Sequence, residues 1–319
     1  MSFRDSTMAY FNQMLDYRKS VGFATATYEC SLPPFIEYSA DNHPEAKFIT
    51  KDMVDEWLKH YDFRTNSTQA VFVAMLRRFT SFINAQGDCA FIPDEDYSVK
   101  REQYHPYIFN DTEMVTLFST IDSFQPYPGN TLKYRPEIIL PVLFRMMYCC
   151  GMRPAEPLHL RSEDVDLSSG DVYIRKTKHN KERHIVMSDD MLRLCKAYRA
   201  LIGEHEWFFP HPDGGPLKTS WMTYQFHTCW NRSGLEKHGN PRPYDLRHAF
   251  ATRTMMRWID SGKDVMVLLP YLSTYLGHAE ISSTFYYIHL LPDRIRKSSG
   301  IDWRMFSAIY EEGDSNEKN

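Results

Sequence analysis

Apolar residues recur three or four positions apart through most of this chain, and that spacing constrains the fold more than any other feature of the sequence. It is the repeat of an amphipathic helix, which buries one stripe of its side chains. In the first hundred residues it predicts a helix that begins at Ser6 or Thr7, a second near 51–61 and a third near 67–86. We expect these segments to form a small helical bundle.

The helical repeat continues later in the chain with one interruption. Helices are predicted at about 112–121, 136–150, 219–232, 244–259, 264–277, 280–288 and 302–311. In the interruption, residues 171–176 and 183–187 alternate between apolar and polar on either side of a polar turn, which is typical of a β-hairpin. We therefore expect a fold that is mainly α with a small β-sheet.

Prolines and changes of pattern indicate where the chain divides. Pro33, Pro34 and Pro44 are expected to break the helical repeat of the first segment. Residues 93–110 have no clear period and contain two prolines, as a linker does. With 319 residues, the chain is long enough for two domains. The predicted parts are a helical domain at 1–95, a linker at 96–108, a second domain at 109–300 and a C-terminal helix with an acidic tail at 301–319.

The distribution of charge matters more than its sum. A net charge of −4 argues against a nucleic-acid partner, because such proteins usually have a basic excess. The acidity, however, lies at the ends: residues 1–100 have a net charge of −4 and residues 311–319 of −3, whereas 101–310 have +3. Two clusters in that central part, 173–185 and 230–257, each have a net charge of +4. The middle of the chain thus keeps the positive charge that phosphate contacts require.

Several classes of protein are excluded by composition. With 43% hydrophobic and 24% charged residues, the chain is of ordinary globular type. It has neither an apolar run of 18 residues nor a basic flank before an apolar stretch at its start, so we expect a cytoplasmic protein without a membrane span. The 6 cysteines lack C-x-x-C spacing and the 13 histidines are scattered, so we expect reduced core cysteines and no metal or other cofactor.

Four short clusters of charged, polar and aromatic residues stand out from the rest of the sequence. They lie at 151–156, 177–183, 243–252 and 276–289. Each cluster alone has an ordinary structural explanation, such as a capping arginine, a solvated turn, an ion pair or a packed tyrosine. Arg153 in the first cluster and Arg247 in the third form a pair of guanidiniums that could bind the oxygens of one phosphate bidentately, which a lysine cannot do.

In this order the clusters resemble the tyrosine recombinase (phage integrase) family, which includes Xer-type recombinases and tyrosine-type transposases. The family has an Arg after a helix-ending glycine, a Lys in a hairpin turn, a His-x-x-Arg-His helix, a Leu-Gly-His and a Tyr nine residues after that last His. The matching residues are Arg153, Lys178, Arg247, His278 and Tyr287. The resemblance covers about 106–300 and implies an N-terminal helical bundle plus a tyrosine-recombinase-like α+β catalytic domain.

One position departs from the family pattern. Most members have a histidine where this chain has Tyr244, and in the family that histidine is thought to donate a hydrogen bond to the scissile phosphate. A phenol also donates, but with an ordinary pKa of about 10 it is neither a cation nor a base at neutral pH. Two interpretations stay open: Tyr244 substitutes as the donor, or the position is dispensable in this chain.

The resemblance also implies a role for each matching residue. Tyr287 would attack the phosphorus and form a 3′-phosphotyrosine, and Lys178 would protonate the leaving 5′ oxygen. His278 would hydrogen-bond the phosphate. Tyr286 is adjacent to Tyr287 and points about 100° away on a helix, and the family spacing favours Tyr287.

Three neighbouring residues are expected to support this set. Glu156 and Asp245 lie close in sequence to the two arginines and are expected to orient them. His248 follows Arg247 directly, and we expect it to make a structural hydrogen bond in preference to a phosphate contact.

The implied partner is double-stranded DNA with a specific recombination site, bound by a homo-tetramer. Each transesterification conserves the phosphodiester energy, so neither a metal nor ATP is needed. The apolar face of the helix at 301–311 could fold back on the core of its own chain, but the resemblance favours docking on a neighbouring subunit. A type IB topoisomerase, with the same tyrosine chemistry, is one alternative; a DNA-binding protein without catalysis, suggested by Tyr244, is another. The element served is open among phages, transposons, integrons and chromosome-resolution systems.

Overall fold

The computed structural model describes residues 2–94, 97, 105–125, 135–175, 182–235 and 239–289. The chain divides into two compact units, Met1–His105 and Pro106–Asn319. Most of the predicted linker and all of the predicted C-terminal helix at 301–311 lie outside the described residues. The described part is mainly helical with one small antiparallel sheet, as the apolar spacing predicted.

The first unit is a bundle of helices around an aromatic core. Its helices are α1 (Phe3–Ser20), α2 (Ala26–Asn42), α3 (Lys51–His60) and α4 (Asn66–Ala85). The Phe35 ring of α2 lies 5.9 Å from the Trp57 ring and 5.8 Å from the Phe72 ring, both edge-to-face. These contacts join α2, α3 and α4 in one hydrophobic core.

Two local predictions for this unit are wrong. Helix α1 begins earlier than Ser6 or Thr7, because the Ser2 hydroxyl accepts a hydrogen bond from the backbone N–H of Asp5 and caps the helix. Pro33 and Pro34 lie inside α2 and do not end it. Their missing N–H groups remove helical hydrogen bonds, but the neighbouring side chains Leu32, Phe35 and Ile36 are fully buried, and this packing outweighs the local cost.

The second unit is built around α6. Its elements are α5 (Asp111–Asp122), α6 (Pro136–Cys150), α7 (Ala155–Leu158), β1 (Asp171–Ile174), β2 (Arg183–Val186), α8 (Asp189–Ile202), α9 (Thr219–Arg232), α10 (Asp245–Asp260), α11 (Val265–Leu276) and α12 (Ser282–His289). Helix α6 packs against α5, α8 and α10. Leu140, Leu143, Phe144 and Met147 are fully buried on it, so it forms the centre of the core.

The predicted hairpin is present. Strands β1 and β2 pair antiparallel with Val172 opposite Ile185, and both of these side chains are fully buried. Ile174 is opposite Arg183, which begins β2 on the far side of the turn. The turn residues 176–181, and with them Lys178, lie outside the described residues.

Helices α10, α11 and α12 form a second, smaller core in this unit. Met255, Leu269, Leu276, Tyr287 and Ile288 are buried in it. Because α10 also packs on α6, the start of α10, the end of α11 and the face of α12 meet at the C-terminal end of α6. The clusters at 151–156, 243–252 and 276–289 reach this place, and Arg183, the last residue of the cluster at 177–183, reaches it from β2.

Other expectations concern the cysteines, metal ligands and membranes. All six cysteines are unpaired, but Cys30, Cys89 and Cys149 are exposed, so the expectation of core positions is wrong for these three. Within the described residues, no three His, Cys, Asp or Glu side chains come together as a metal site would require. No described helix has the length and the hydrophobicity to cross a bilayer.

Candidate active site

The site begins where α6 ends. Gly151 follows the helix with a φ of 61°, in the left-handed region that favours glycine. A Cβ at this position would lie 2.5 Å from Cδ1 of Phe250, closer than side chains pack. Both the backbone conformation and the lack of space therefore require glycine, which turns the chain so that Arg153 follows it.

Arg153 is held by a carboxylate and by the main chain. Its Nη1 donates to Glu156 Oε1 at 3.0 Å, and its Nη2 donates to the carbonyl of Gly277 at 2.7 Å. Its backbone N–H donates to the other Glu156 oxygen at 2.8 Å. The side chain is 18% exposed, so it is not fully enclosed.

A second arginine shares the same carboxylate. Arg183, at the start of β2, donates from Nη1 and Nη2 to the two oxygens of Glu156 at 2.8 and 2.7 Å. Its Nε donates to the carbonyl of Tyr275 at 2.8 Å. Burial raises the pKa of Glu156, but the hydrogen bonds and charge of Arg183 outweigh it, and the pKa lies below its usual value. The carboxylate is thus ionised between two arginines.

Arg247 is the most deeply buried charge of the site. It lies on the first turns of α10 and has no exposed surface. Its Nη1 donates to the carbonyl of Gly151 at 2.6 Å, and its Nη2 to the carbonyl of Leu276 at 2.7 Å. Among the described residues, its Nε has no hydrogen-bond partner. Burial lowers the pKa of this arginine from its ordinary, very high value.

His278 lies between Arg247 and helix α12. Its Nε2 is 3.1 Å from Arg247 Nη2, and its Nδ1 is 2.6 Å from the Thr284 hydroxyl. Burial and the positive charges of Arg247, Arg153 and Arg183 lower the pKa of His278 to about 3. The ring is therefore neutral at physiological pH.

Tyr287 is buried against two imidazoles. Its side chain is 2% exposed. The His278 ring is stacked on it with centroids 6.0 Å apart, and the His248 ring lies at 5.4 Å. Burial raises the pKa of Tyr287 to about 12, although the charge of Arg247, a hydrogen bond with that arginine and the charge of Arg153 act in the opposite direction. The hydroxyl is thus a neutral phenol beside two cations.

Tyr244 lies at the edge of this cluster. It is half-buried immediately before α10, and its ring is 4.9 Å from that of His248, one turn later. It also lies near enough to Tyr287 to raise the pKa of that phenol further. Tyr286 is half-buried, with its ring 6.3 Å from that of Tyr287.

The supporting residues differ in how they meet expectation. Glu156 contacts Arg153 as expected, and Arg183 in addition. Asp245 accepts a hydrogen bond from the backbone N–H of Arg242 at 2.7 Å, which holds the start of α10. For His248 no hydrogen bond to Nδ1 is made within the described part of the chain, so the structural hydrogen bond expected for it is not found at that atom. Burial, with Arg247 and Arg242, lowers the pKa of His248 to about 4.

The structure brings Arg153, Arg247, His278 and Tyr287 together, with Tyr244 beside them. Sequence reasoning overlooked Arg183 and Thr284. Arg183 belongs to the basic cluster at 173–185, and Thr284 lies three residues before Tyr287, on the same side of a helix. These positions in the sequence are the only signals that could have pointed to Arg183 and Thr284. Neither position identifies the residue's hydrogen-bond partner.

The chain is similar to known proteins over most of its length. The model of the phage integrase family matches residues 110–294. A putative integrase/recombinase y4rE of Sinorhizobium fredii is 28% identical over 291 residues, which is 86% of this chain and 88% of that protein. The tyrosine recombinase XerC of Staphylococcus carnosus is 28% identical over 231 residues, 70% of this chain and 71% of that protein.

Among solved structures, a lambda integrase tetramer bound to a Holliday junction has the same fold. The TM-score is 0.65 at 14% sequence identity, and the match covers 95% of this chain and 80% of that chain. The fold class expected from the sequence is therefore found both in the described elements and in this likeness.

Proposed function

This chain belongs to the phage integrase family of tyrosine recombinases, and from that premise we propose that it is a site-specific DNA recombinase. It would cleave one DNA strand through a 3′-phosphotyrosyl intermediate and rejoin it to a partner strand. The residues proposed to do this are Arg153, Lys178, Tyr244, Arg247, His278 and Tyr287. The element it mobilises or resolves would be defined by the DNA sequence that it recognises.

The observation that carries the proposal is the way Arg247 is held beside Tyr287. Two backbone carbonyls anchor its Nη atoms, while its Nε has no partner among the described residues. A buried N–H of a charged group is costly to leave unpaired. An oxygen of a phosphodiester would satisfy it, and Arg153, whose side chain is 18% exposed, would bind another.

The reaction follows from the charges around the phenol. The Tyr287 oxygen forms a bond to phosphorus as the bond from phosphorus to the 5′ oxygen breaks, so the phenol loses its proton and the 5′ oxygen gains one. With a pKa of about 12, the phenol is protonated until it reacts. The guanidiniums of Arg153 and Arg247 stabilise both the phenolate and the charge that develops on the phosphate oxygens. Lys178 is proposed to protonate the 5′ oxygen.

The proposed partner is double-stranded DNA bound by four protomers. Support comes from the lambda integrase of the same fold, which was solved as a tetramer on a Holliday junction. In this chain, the apolar residues of the predicted helix at 301–311 are proposed to contact the neighbouring protomer. Two rounds of exchange would then pass through a junction without a metal or ATP.

A nicked suicide duplex tests the chemistry. Duplexes from the DNA flanking the gene are incubated with the full chain, and covalent protein–DNA adducts are separated by denaturing electrophoresis. We expect an adduct with the wild type that disappears in Tyr287→Phe and persists in Tyr286→Phe, the matched control. Binding of a site without any adduct would contradict the proposal and favour a DNA-binding protein.

Product analysis separates recombination from DNA relaxation. The proposed enzyme yields recombinant junctions at one defined site when two such sites are present. Relaxation of any supercoiled plasmid, without recombinant products, would identify a topoisomerase IB-like activity instead.

A further inference from the structure

Three consecutive backbone carbonyls at the end of α11 each accept a hydrogen bond from a different arginine. The pairs are Arg183 with Tyr275 at 2.8 Å, Arg247 with Leu276 at 2.7 Å and Arg153 with Gly277 at 2.7 Å. The last carbonyls of a helix have no partner within it and lie at the negative end of its dipole. One helix end therefore gathers three cations, and Arg183 belongs to the same group as the two arginines of the proposed site.

The guanidinium of Arg183 is occupied by the protein itself. Its Nη1 and Nη2 donate to the two oxygens of Glu156 at 2.8 and 2.7 Å, and its Nε donates to the carbonyl of Tyr275. The side chain is 9% exposed. Because each of its three nitrogens already has an acceptor in the chain, Arg183 is better suited to orient another group than to bind a phosphate.

Glu156 is bound unequally by its two arginines. Arg183 binds it bidentately, whereas the guanidinium of Arg153 makes a single contact with it, from Nη1 to Oε1 at 3.0 Å. The other guanidinium contact of Arg153 is with the carbonyl of Gly277. A guanidinium has five N–H donors, so these two contacts leave donors of Arg153 for another anion.

The backbone of Gly277 brings the two guanidiniums close to each other. A Cβ at this position would lie 3.1 Å from Cδ of Arg183 and 3.5 Å from Nη1 of Arg153. Two like charges at such short range repel each other. The carboxylate of Glu156 and the carbonyls at the end of α11 offset this repulsion, so both arginines depend on the same acceptors.

We infer that Arg183 is a positioning residue, which occupies both oxygens of Glu156 and so keeps Arg153 able to bind a phosphate. A carboxylate orients Arg153, but a carboxylate paired with Arg153 alone would compete with the phosphate for the same guanidinium, because bidentate pairs of this kind are strong. Arg183 removes this conflict. It takes up the negative charge of Glu156 and leaves the carboxylate in place to orient Arg153.

Two variants test this inference through adduct formation, a measurement that rests on the proposed function. Arg183→Met leaves Glu156 to Arg153 alone, and we expect adduct formation on the suicide duplex to be slower by about tenfold or more. The double variant Arg183→Met/Glu156→Gln also removes the competing carboxylate. It should therefore form the adduct faster than Arg183→Met, by about threefold or more, although more slowly than the wild type.

The direction of the second change separates positioning from a merely structural role. If Arg183 only stabilised the fold, loss of Glu156 in addition would leave the rate unchanged or lower it further. A double variant that is no faster than Arg183→Met would thus overturn the inference. Urea unfolding checks that both variants are folded, as we expect, because neither leaves the buried carboxylate without a cation.

The matched control is the ion pair of Arg161 with Glu206, which lies outside the site. The two side chains are 40% and 57% exposed and 2.9 Å apart. Arg161→Met and Arg161→Met/Glu206→Gln should both form the adduct at the wild-type rate, because exposed pairs contribute little. The same loss and recovery in this control pair would overturn the specific role given to Arg183.

A crystal structure of Arg183→Met without DNA tests the inference independently of activity. We expect two guanidinium nitrogens of Arg153 to donate to the two oxygens of Glu156, in place of the single contact of the wild type. A single contact in the variant would overturn the inference. Failure of the wild type to form any adduct would instead contradict the proposed function, and the crystal structure would still decide the role of Arg183.

Discussion

At the scale of single residues, the site depends on a shortage of negative charge. Arg153 and Arg183 share the carboxylate of Glu156, whose side chain is 7% exposed. Arg247 has no carboxylate partner in the contacts described and is held by carbonyls. One anion among three cations leaves a net positive charge in a place shielded from solvent, where an anionic phosphodiester would be bound strongly.

Replacing Glu156 by Gln should destabilise the chain in a pH-dependent way. The substitution leaves two partly buried arginines without their counter-charge, which predicts a loss of about 3 kcal/mol or more at pH 7. The pKa of Glu156 is lowered below 4.5 in the folded chain, so its stabilisation is complete above pH 4.5 and is lost as the pH falls through the folded value. Thermal unfolding between pH 3 and pH 7 measures this: the wild-type and Glu156→Gln melting temperatures should converge on acidification.

The matched control for this measurement is Glu206→Gln. Glu206 also pairs with an arginine, Arg161, but its side chain is 57% exposed. Exposed pairs contribute little, so this variant should follow the wild-type curve. Parallel curves for Glu156→Gln and wild type would contradict the role given to Glu156.

Replacing Arg247 by Lys should abolish most activity although the charge is kept. A lysine has one ammonium group, which cannot reach both backbone carbonyls, His278 and a phosphate in one plane. Because the positive charge would be misplaced relative to the phosphate, we expect adduct formation to be slower by about a hundredfold or more. Arg253→Lys, on the same helix at a side chain that is 40% exposed, is the control and should remain active. Equal rates for the two variants would show that only charge is needed at Arg247.

At the scale of elements, the site lies where helices end. Gly151 closes α6 and Gly277 closes α11, both with left-handed backbones. The carbonyls at and near these ends bind the arginines, because the last carbonyls of a helix have no partner within it. The negative ends of two helix dipoles thus hold cations in place, which is the favourable orientation.

Gly151→Ala should therefore be more harmful than an alanine at another left-handed glycine. Gly262 follows α10 with a φ of 69° and has no atom within 4 Å of its would-be Cβ, whereas the Cβ at Gly151 would meet Phe250 at 2.5 Å. Backbone strain alone predicts a loss of about 1–2 kcal/mol in Gly262→Ala. The clash should add about 1–3 kcal/mol in Gly151→Ala, with slower adduct formation in that variant alone. Urea unfolding of both variants measures the difference, and equal losses would rule out the clash.

At the scale of the whole molecule, charge is divided between the two units. The first hundred residues have a net charge of −4. Some of their basic side chains are paired internally, as Arg4 is with Glu37 and Asp41, and Lys19 with Glu29. The site of the second unit holds three arginines close together. We therefore expect the second unit to contribute most of the salt-dependent affinity for DNA.

Removal of residues 301–319 should weaken assembly without weakening the binding of one protomer. The sequence of this segment has Trp303, Phe306, Ile309 and Tyr310 near one face of its predicted helix, and such a stripe needs an apolar surface to cover it. Gel-shift titration should show single-protomer complexes at unchanged concentration and loss of the larger complexes. Unchanged formation of the larger complexes by the truncated chain would contradict the proposed docking.

Local structure was predictable where neighbours in sequence decide it. Helix α6 was predicted at 136–150 and is found at Pro136–Cys150, because an apolar run and a final glycine are local signals. The cap of α5 at Asn110 is equally local. Pro33 and Pro34 were misjudged because burial in the bundle core, which is not local, stabilises α2 around them.

By itself, the sequence determined the mainly helical fold, the hairpin and the order of the motif residues, because these depend on residues a few positions apart. Only the tertiary structure decided which side chains and backbone carbonyls of the site form hydrogen bonds with each other. The pairing of Arg183 with Glu156 and of Arg247 with the end of α6 joins residues far apart in the chain. The ring of His278 contacts Arg247 and Thr284 at once. Hydrogen bonds act only at short range and in specific directions, so such partnerships exist only after the helices have packed.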